Sequence, residues 1–229
     1  MNSERPLVYI AGTSFNSSVS GMFLDAGWAG TRDIQLADLV CFTGGSDINP
    51  DIYHEKPIPE MGTVDHRRDL VETREFNAAK QAGIPMVGIC RGAQLLNCLN
   101  GGRLWQHIGT KHYRDHDCQD LRTNEVWSIT STHHQMMRPT QQAIIVAAAC
   151  KAKGDLSSIA DLKKADGLSV IPGASKEYNL DPEVVWYPDT MSLCFQGHPE
   201  YMSKTDSYER FWAYVEEFIM EPEEEKKTA

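Results

Sequence analysis

Cys90 lies in the sequence Gly88-Ile89-Cys90-Arg91-Gly92, after an apolar run and before a segment with helical periodicity. A cysteine in a tight strand-to-helix turn is lifted out of the sheet, as in other nucleophile elbows. The positive end of the helix favours its thiolate. The alternative is a buried structural cysteine, which is the usual role for any one of six cysteines. The strand–turn–helix context favours the nucleophile.

A second pair of reactive side chains follows another apolar run, in Gln196-Gly197-His198-Pro199-Glu200. His198 and Glu200 are two residues apart, so an extended segment would place both on one side. A histidine beside a carboxylate is the base and orienting group that a thiol nucleophile requires. The alternative is a surface histidine and glutamate that do not touch.

A glycine turn, Thr43-Gly44-Gly45-Ser46, comes directly after a third apolar run. Such a turn allows backbone N–H groups to face a ligand and to stabilise an oxyanion. The N–H of Arg91, at the start of the predicted helix, points toward the same place. An ordinary turn is the alternative, and the glycines alone do not distinguish the two.

The elements that must position these residues alternate between strand and helix. Apolar runs predict strands at 7–10, 39–42, 84–89, 126–130, 143–149, 184–187 and 192–196, the last two joined by a Pro-Asp turn. Periodicity predicts helices at 17–26, 69–81, 91–99 and 203–220. This pattern predicts an α/β fold with a mostly parallel central sheet, helices on both faces and short antiparallel additions. Ligands of such sheets bind at the carboxyl ends of the strands.

The domain organisation that we expect is one domain over residues 1–220 and a charged, flexible tail over 221–229. The polar stretch 151–182 is long for a plain connection, and we expect it to cross one face with a short helix at 156–163. The stretch between the first strand and Gly44 is short, which predicts that one element of the sheet is reduced.

Composition excludes several classes of function. The 229-residue chain has a net charge of −10 and no cluster of Lys and Arg, which argues against nucleic-acid binding. No apolar run approaches the roughly 20 residues that span a bilayer, so no membrane partner is expected. The first residues lack a secretion-signal pattern and the six cysteines form no C-x-x-C pair, so we expect reduced thiols in the cytoplasm.

These three motifs, in this order, resemble those of the class I glutamine amidotransferase-like superfamily, and the resemblance runs from Leu7 to the final helix. It implies a flavodoxin-like class I glutamine amidotransferase fold. It also implies a catalytic triad of Cys90, His198 and Glu200 and an oxyanion hole from the N–H groups of Gly45 and Arg91.

Further motifs resemble the peptidase C26 branch, which includes γ-glutamyl-γ-aminobutyrate hydrolases. They are Gly44-Gly45-Ser46-Asp47-Ile48-Asn49-Pro50 with Tyr53, Asp65-His66-Arg67-Arg68-Asp69 with Glu72, Cys90-Arg91-Gly92, and the substrate loop Ser131-Thr132-His133-His134-Gln135. The substrate-binding candidates are Gln94, His133, His134 and Gln135. Gln196-Gly197 departs from the V-Q-W or V-Q-F that often precedes H-P-E, which leaves the shape of the acyl pocket open.

The resemblance implies hydrolysis of a γ-glutamyl amide, in a γ-glutamyl-amine or in glutamine, by way of a thioester. The alternative is a glutaminase subunit that supplies ammonia to a separate synthetase, because no synthetase domain is expected in this chain. A third reading is a binding protein without activity. A small γ-glutamyl molecule is the expected partner, and a homodimer is compatible with each reading.

A metal or other cofactor is not expected. His112 and His116 are four apart, a spacing that suits a metal site on a helix, but Tyr113-Arg114-Asp115 does not look helical and no third ligand is evident. Asp65, Asp69 and Glu72 are expected first to be carboxylates at the start of a helix. Binding of a substrate amine is their second interpretation.

Overall fold

The computed structural model describes residues 5–12, 17–109, 112–151, 155–156, 180–201 and 205–221. Three sequence predictions fall mainly outside these residues. They are the excursion over 151–182, its helix at 156–163 and the charged tail over 221–229.

Twelve strands and four α-helices occur within the described residues. The strands are β1 (Leu7–Ile10), β2 (Ala29–Thr31), β3 (Leu39–Phe42), β4 (Met86–Ile89), β5 (Arg103–Trp105), β6 (His116–Asp120), β7 (Val126–Ile129), β8 (Met136–Arg138), β9 (Ile144–Lys151), β10 (Asp155–Leu156), β11 (Pro182–Tyr187) and β12 (Ser192–Phe195). The helices are α1 (Ser17–Asp25), α2 (His66–Ala82), α3 (Arg91–Leu99) and α4 (Asp206–Val215), the last continued by a π-helical turn at Glu216–Met220.

The main sheet of the described residues runs in the order β2-β1-β3-β4-β12-β11-β9-β6-β7, and β10 pairs with β9. All strand pairs from β2 to β12 are parallel. From β11 onward the pairs are antiparallel. This arrangement confirms the predicted α/β fold with a parallel core and antiparallel additions. The carboxyl ends of β3, β4 and β12 lie side by side, which brings the three sequence motifs to one edge.

Helices cover both faces of the sheet, as predicted. On one face, α1 and α4 bury Phe23, Phe211 and Tyr214 against the strands. On the other face, α2 and α3 bury Phe76 and Leu95. Helix α2 begins three residues earlier than predicted, because Asp65 caps it by accepting a hydrogen bond from the N–H of Arg68 at 3.0 Å.

Sequence analysis missed β2, β5, β6, β8 and β10, which are short or polar. β2 has three residues and lies at the edge of the sheet, in agreement with the reduced element that the sequence predicted before Gly44. β6 reads His-Asp-Cys-Gln-Asp and has no apolar run to reveal it. It is held by pairing with β7 and β9 rather than by its own composition.

Strand β7 forms the other edge of the sheet, and α4 packs beside it. The Asp206 carboxylate at the start of α4 accepts a hydrogen bond from the Ser128 N–H at 3.2 Å. An ion pair between Arg210 and Glu125 adds a second link between the helix and this edge.

Within the described part of the chain, no helix is long and apolar enough to cross a bilayer. The six cysteines all lie in this part, and each is buried and unpaired. Burial raises the pKa of the thiols of Cys41, Cys98, Cys118 and Cys194. These four therefore stay neutral and act as small apolar residues of the core.

Candidate active site

Cys90 occupies a strained turn between β4 and α3, with φ 50° and ψ −108°. A side chain in this region of φ is uncommon and is a feature of functional sites. The flanking glycines make the turn possible. A Cβ atom at Gly88 would lie 2.4 Å from the carbonyl carbon of Gly92, and one at Gly92 would lie 2.1 Å from the Phe42 carbonyl oxygen. Strand and helix therefore approach closely only because both positions lack a side chain.

His198 and Glu200 are in contact, although not in the way that the sequence suggested. The segment is not extended, because Pro199–Tyr201 forms a 3₁₀ turn. The turn places Glu200 Oε1 2.8 Å from His198 Nδ1, and only 3% of the Glu200 side chain is exposed. The ring of Tyr201 stacks on the imidazole with centroids 4.2 Å apart. The imidazole is thus held by a carboxylate at one nitrogen and by an aromatic face.

The Cys90 and His198 side chains are joined by a hydrogen bond. Burial lowers the pKa of His198, but the contacts with Cys90 and Glu200 outweigh burial and raise this pKa to about 10. The imidazole is therefore held protonated at neutral pH. A protonated histidine beside a cysteine can give its proton to a leaving group.

The glycine turn after β3 lies against this pair. A Cβ atom at Gly44 would be 3.1 Å from His198 Cε1 and 3.8 Å from Cys90 Cβ. Within the described residues, the N–H of Gly45 donates to no acceptor. The N–H of Arg91 is also free, since the first N–H groups of a helix have no partner within it. Both predicted oxyanion donors are thus available beside Cys90.

The Arg68 side chain holds the glycine turn in place. Its guanidinium donates to the carbonyl oxygens of Thr43 at 2.9 Å and Gly44 at 3.0 Å. A Cβ atom at Gly45 would fall 2.2 Å from Arg68 Nη1. A side chain at Gly45 would therefore displace the Arg68 guanidinium that holds the turn.

Asp69 lies in the first turn of α2, as predicted, whereas Glu72 lies beyond that turn, so the helix-start interpretation is wrong for Glu72. They are buried and form ion pairs with the Arg91 guanidinium. Glu72 also accepts from Arg68 Nε at 2.7 Å. Two arginines and two carboxylates thus form a buried, electrically balanced network under the glycine turn. Of the three carboxylates, Asp65 as the N-cap and Asp69 in the first turn keep the predicted position at the helix start.

A cavity of about 220 Å³ opens beside Cys90. The described residues that line it are Gly45, Asp47, Cys90, Gln94, Thr132, His133, His134, Gln135, His198 and Tyr201. All four substrate-binding candidates from the sequence are among them. The cavity is smaller than the roughly 300–1,000 Å³ that drug-sized ligands occupy, and it suits a small molecule.

The four substrate-binding candidates differ in what they touch. Gln94 Nε2 donates to Gln135 O at 3.2 Å. Buried Gln135 Oε1 has no partner among the described residues, so it is available to a ligand. His134 Nε2 lies 2.9 Å from Asp47 Oδ1. His133 Nδ1 lies 2.9 Å from Gln135 O, and its other nitrogen faces away toward Glu183.

Sequence reasoning missed three residues of the site. Thr132 Oγ1 lies 3.0 Å from His198 Nε2. Asp47 places a carboxylate at the cavity, and Tyr201 stacks on His198. Thr132 and Asp47 both belong to motifs quoted above, so their position in those motifs was the available signal. Tyr201, directly after the H-P-E motif, had none.

The structure also supplies what the sequence lacked for a metal site. His112 and His116 are joined in space by His133 and Glu183, whose ligand atoms lie within 4.8 Å of one another. The statement that no third ligand accompanies the two histidines is therefore wrong. The distant strand β11 and the loop before β8 provide the two additional groups.

Comparison with known proteins shows which family this chain is similar to. The family model described as peptidase C26 matches residues 30–136. Two glutamine amidotransferase-like proteins of Lactococcus lactis are each 32% identical to the chain. YvdE of subspecies lactis matches over 134 residues, 50% of this chain and 57% of that protein. The YvdE homolog of subspecies cremoris matches over 130 residues, 48% of this chain and 69% of that protein.

The chain belongs to the glutamine amidotransferase-like family. The fold agrees, since a glutamine amidotransferase from Thermotoga maritima superposes with a TM-score of 0.56. That structure is 13% identical, and the match covers 93% of this chain and 83% of the other. The match spans little more than half the length of YvdE of subspecies lactis.

In an amidotransferase-like site of this geometry, Glu200→Gln should slow turnover by a factor on the order of 10²–10⁴, with little change in substrate binding. The Glu200 carboxylate also helps to raise the pKa of His198, so this pKa should fall in the variant. A pH–rate profile and NMR titration of labelled histidine measure both effects. Glu209→Gln, on an exposed position of α4, is the control. Wild-type values for Glu200→Gln would remove it from the site.

Proposed function

We propose that the protein hydrolyses γ-glutamyl amide bonds, in a γ-glutamyl-amine or in glutamine, through a thioester on Cys90. The observation that carries this proposal is the hydrogen bond to Cys90 from a histidine that a buried carboxylate orients. This contact occurs in a strained turn at the cavity, beside two free backbone N–H groups. The match of residues 30–136 to the peptidase C26 family model supports a hydrolase of amide bonds.

In the first half-reaction, the Cys90 thiolate attacks the γ-carbonyl carbon and a C–S bond forms. The carbonyl oxygen becomes an oxyanion, which accepts hydrogen bonds from the N–H groups of Gly45 and Arg91. The C–N bond then breaks as protonated His198 gives its proton to the departing amine. The products of this half are the free amine and a γ-glutamyl thioester.

In the second half-reaction, water attacks the thioester. Neutral His198 removes a proton from this water, and the same N–H groups hold the second oxyanion. The C–S bond breaks, glutamate leaves, and the thiolate and protonated imidazole are restored. Glu200 stays ionised throughout and orients the ring.

Side chains at the cavity match the charged groups of a glutamyl substrate. The Asp47 carboxylate suits the α-ammonium group of a glutamyl substrate, and the free Gln135 Oε1 offers a further acceptor. The described cavity residues include no Lys or Arg. Both ring nitrogens of His134 have partners, Asp47 and His107, so backbone N–H groups are the donors that we assign to the α-carboxylate.

The proposal is tested by incubating the enzyme with glutamine, γ-glutamyl-putrescine, γ-glutamyl-GABA and γ-glutamyl peptides and measuring the released amine. We expect at least one to be hydrolysed, and intact-mass spectrometry of an acid-quenched reaction should detect a glutamyl adduct on Cys90. The matching α-glutamyl amides are the control and should not react. Binding of these compounds without turnover would support the binding-protein alternative instead.

The runner-up function is that of a glutaminase subunit that passes ammonia to a separate synthetase. The amidotransferase-like relatives favour it as the second candidate. It predicts that glutamine is hydrolysed slowly until a partner is added, whereas a stand-alone hydrolase reaches full rate alone or as a homodimer. Either function requires Cys90 to stay reduced, which suits the cytoplasm.

A further inference from the structure

A second group of chemically reactive side chains lies behind the cavity. His112, His116 and His133 surround the carboxylate of Glu183, which is fully buried on β11. The nearest ring nitrogens are 3.2, 3.1 and 3.5 Å from Glu183 Oε1, in that order. His112 Nδ1 and His116 Nε2 are 3.3 Å apart.

The outward nitrogens of two rings have fixed partners. His116 Nδ1 lies 3.1 Å from the carbonyl oxygen of Arg114, and His133 Nδ1 lies 2.9 Å from that of Gln135. A carbonyl oxygen only accepts, so the nitrogen facing it must carry the proton. In the neutral rings, the lone pairs of both Nε2 atoms therefore point at the centre of the cluster.

His112 repeats this arrangement with a carboxylate. Its Nε2 lies 3.6 Å from Asp181 Oδ2, and its Nδ1 faces Glu183. Histidines that bind metals almost always donate their second ring N–H to a carboxylate or a backbone carbonyl. His116 and His133 have such a partner on the side away from the centre, and His112 has the Asp181 carboxylate nearby.

The polar atoms at the centre of the cluster lack enough protons or positive charge to satisfy them. His133 Nε2 and Glu183 Oε2 are buried and have no hydrogen-bond partner among the described residues. Because His133 Nδ1 carries its proton toward the Gln135 carbonyl oxygen, the lone pair of His133 Nε2 faces the Glu183 carboxylate.

We infer that His112, His116, His133 and Glu183 bind one divalent transition-metal ion, for which Zn²⁺ is the best match. Zn²⁺ takes nitrogen and carboxylate oxygen at about 2.0–2.2 Å in a tetrahedron, which separates neighbouring ligand atoms by about 3.3–3.5 Å. Four of the six separations are the 3.1–3.5 Å quoted above, close to that geometry, and all six are within 4.8 Å, so a small side-chain shift would complete the tetrahedron. Four protein ligands leave no open position, so the ion is structural.

The ion would tie the substrate loop to the sheet. His133 directly follows Thr132, whose hydroxyl contacts His198. The carbonyl oxygen of Glu183 accepts from the Gln196 N–H at 2.8 Å, just before His198. A metal at this point therefore fixes the position of both segments that hold the imidazole, without touching the substrate.

The test uses the full chain carrying Cys90→Ala, so that a thiolate–imidazole pair at the cavity cannot bind the metal. After chelation and dialysis, the protein is titrated with Zn²⁺ and with Co²⁺, and bound metal is measured by mass spectrometry. We expect one equivalent of Zn²⁺, and for Co²⁺ the intense visible absorption of a tetrahedral site without a sulfur charge-transfer band. No binding, or the weak spectrum of six-coordinate Co²⁺, would overturn the inference.

Ligand variants identify the site. His116→Gln alters a partly exposed ring, so the fold should survive, and binding should weaken at least about 100-fold. His66→Gln, at the exposed start of α2, is the matched control and should bind normally. Equal affinity of the two variants would overturn the assignment. These readouts do not involve turnover, so they stand apart from the outcome for the proposed hydrolase.

Discussion

Cys90→Ala should abolish turnover of γ-glutamyl substrates, with a loss on the order of 10⁴-fold or more, while leaving their binding nearly intact. Alanine retains the backbone of the elbow but has no atom that can form the thioester. Initial rates for amine release and calorimetric titration of substrate onto the variant measure the two quantities. Because the glycines and the oxyanion N–H groups remain, the cavity should still accept the glutamyl group.

The five other cysteines provide the controls for this experiment. Cys150→Ala removes a buried thiol of β9 and should keep turnover within a few-fold of wild type. A glutamine-like electrophile should label Cys90 before any other cysteine, since Cys90 alone among the six lines the cavity. Turnover by Cys90→Ala, or first labelling at another cysteine, would contradict the assignment of the nucleophile.

Glu72→Gln should lower the free energy of unfolding by about 3–5 kcal/mol. Glu72 is fully buried and is shared by the guanidinium groups of Arg68 and Arg91. Replacing its charge with an amide leaves two buried cations with Asp69 as their remaining carboxylate. Denaturant unfolding followed by circular dichroism measures the change.

Glu75→Gln is the matched control, three residues further along the same helix. Glu75 accepts from the Tyr9 hydroxyl at 2.6 Å and from the Gly12 N–H at 2.8 Å, and neither donor is charged. Its loss should cost about 1.5–3 kcal/mol, the usual value of a hydrogen bond to a charged group. A Glu72→Gln variant no less stable than Glu75→Gln would show that the network does not depend on charge balance.

Through the same network, the loss of the Glu72 charge should also affect the candidate active site. Arg68 holds the carbonyl oxygens of Thr43 and Gly44, and Arg91 supplies one proposed oxyanion N–H. Both guanidinium groups are positioned by Glu72. Folded Glu72→Gln protein should therefore also lose turnover, because the donors beside Cys90 are no longer fixed.

Much of the fold could be predicted from local sequence patterns. Helix α3 and strands β1 and β3 have the predicted bounds, because each is a short periodic or apolar run with a clear stop signal. The order of the three motifs and their position after strands were also enough to place Cys90, His198 and Glu200 together. These features depend on local chemistry and on one general property of parallel sheets.

The sequence could not reveal contacts between distant polar residues. Burial of Glu72 depends on Arg91, which is 19 residues away. The cluster around Glu183 needs β11 and β6 to flank β9, and no local pattern encodes that order. The 3₁₀ turn that presents Glu200 to His198 was missed because a two-residue spacing was read as an extended segment.

The contact between α4 and strand β7 affects how the chain behaves at high concentration. An open edge strand offers unpaired N–H groups to a strand of another molecule, which is a route to aggregation. Here the Asp206 carboxylate accepts the hydrogen bond of the Ser128 N–H. The Arg210–Glu125 ion pair also places charged side chains along this edge. The final helix thus protects the sheet from edge-to-edge association between molecules. A chain whose final helix had frayed would expose both an apolar face and a pairing edge, so solubility should depend on this helix.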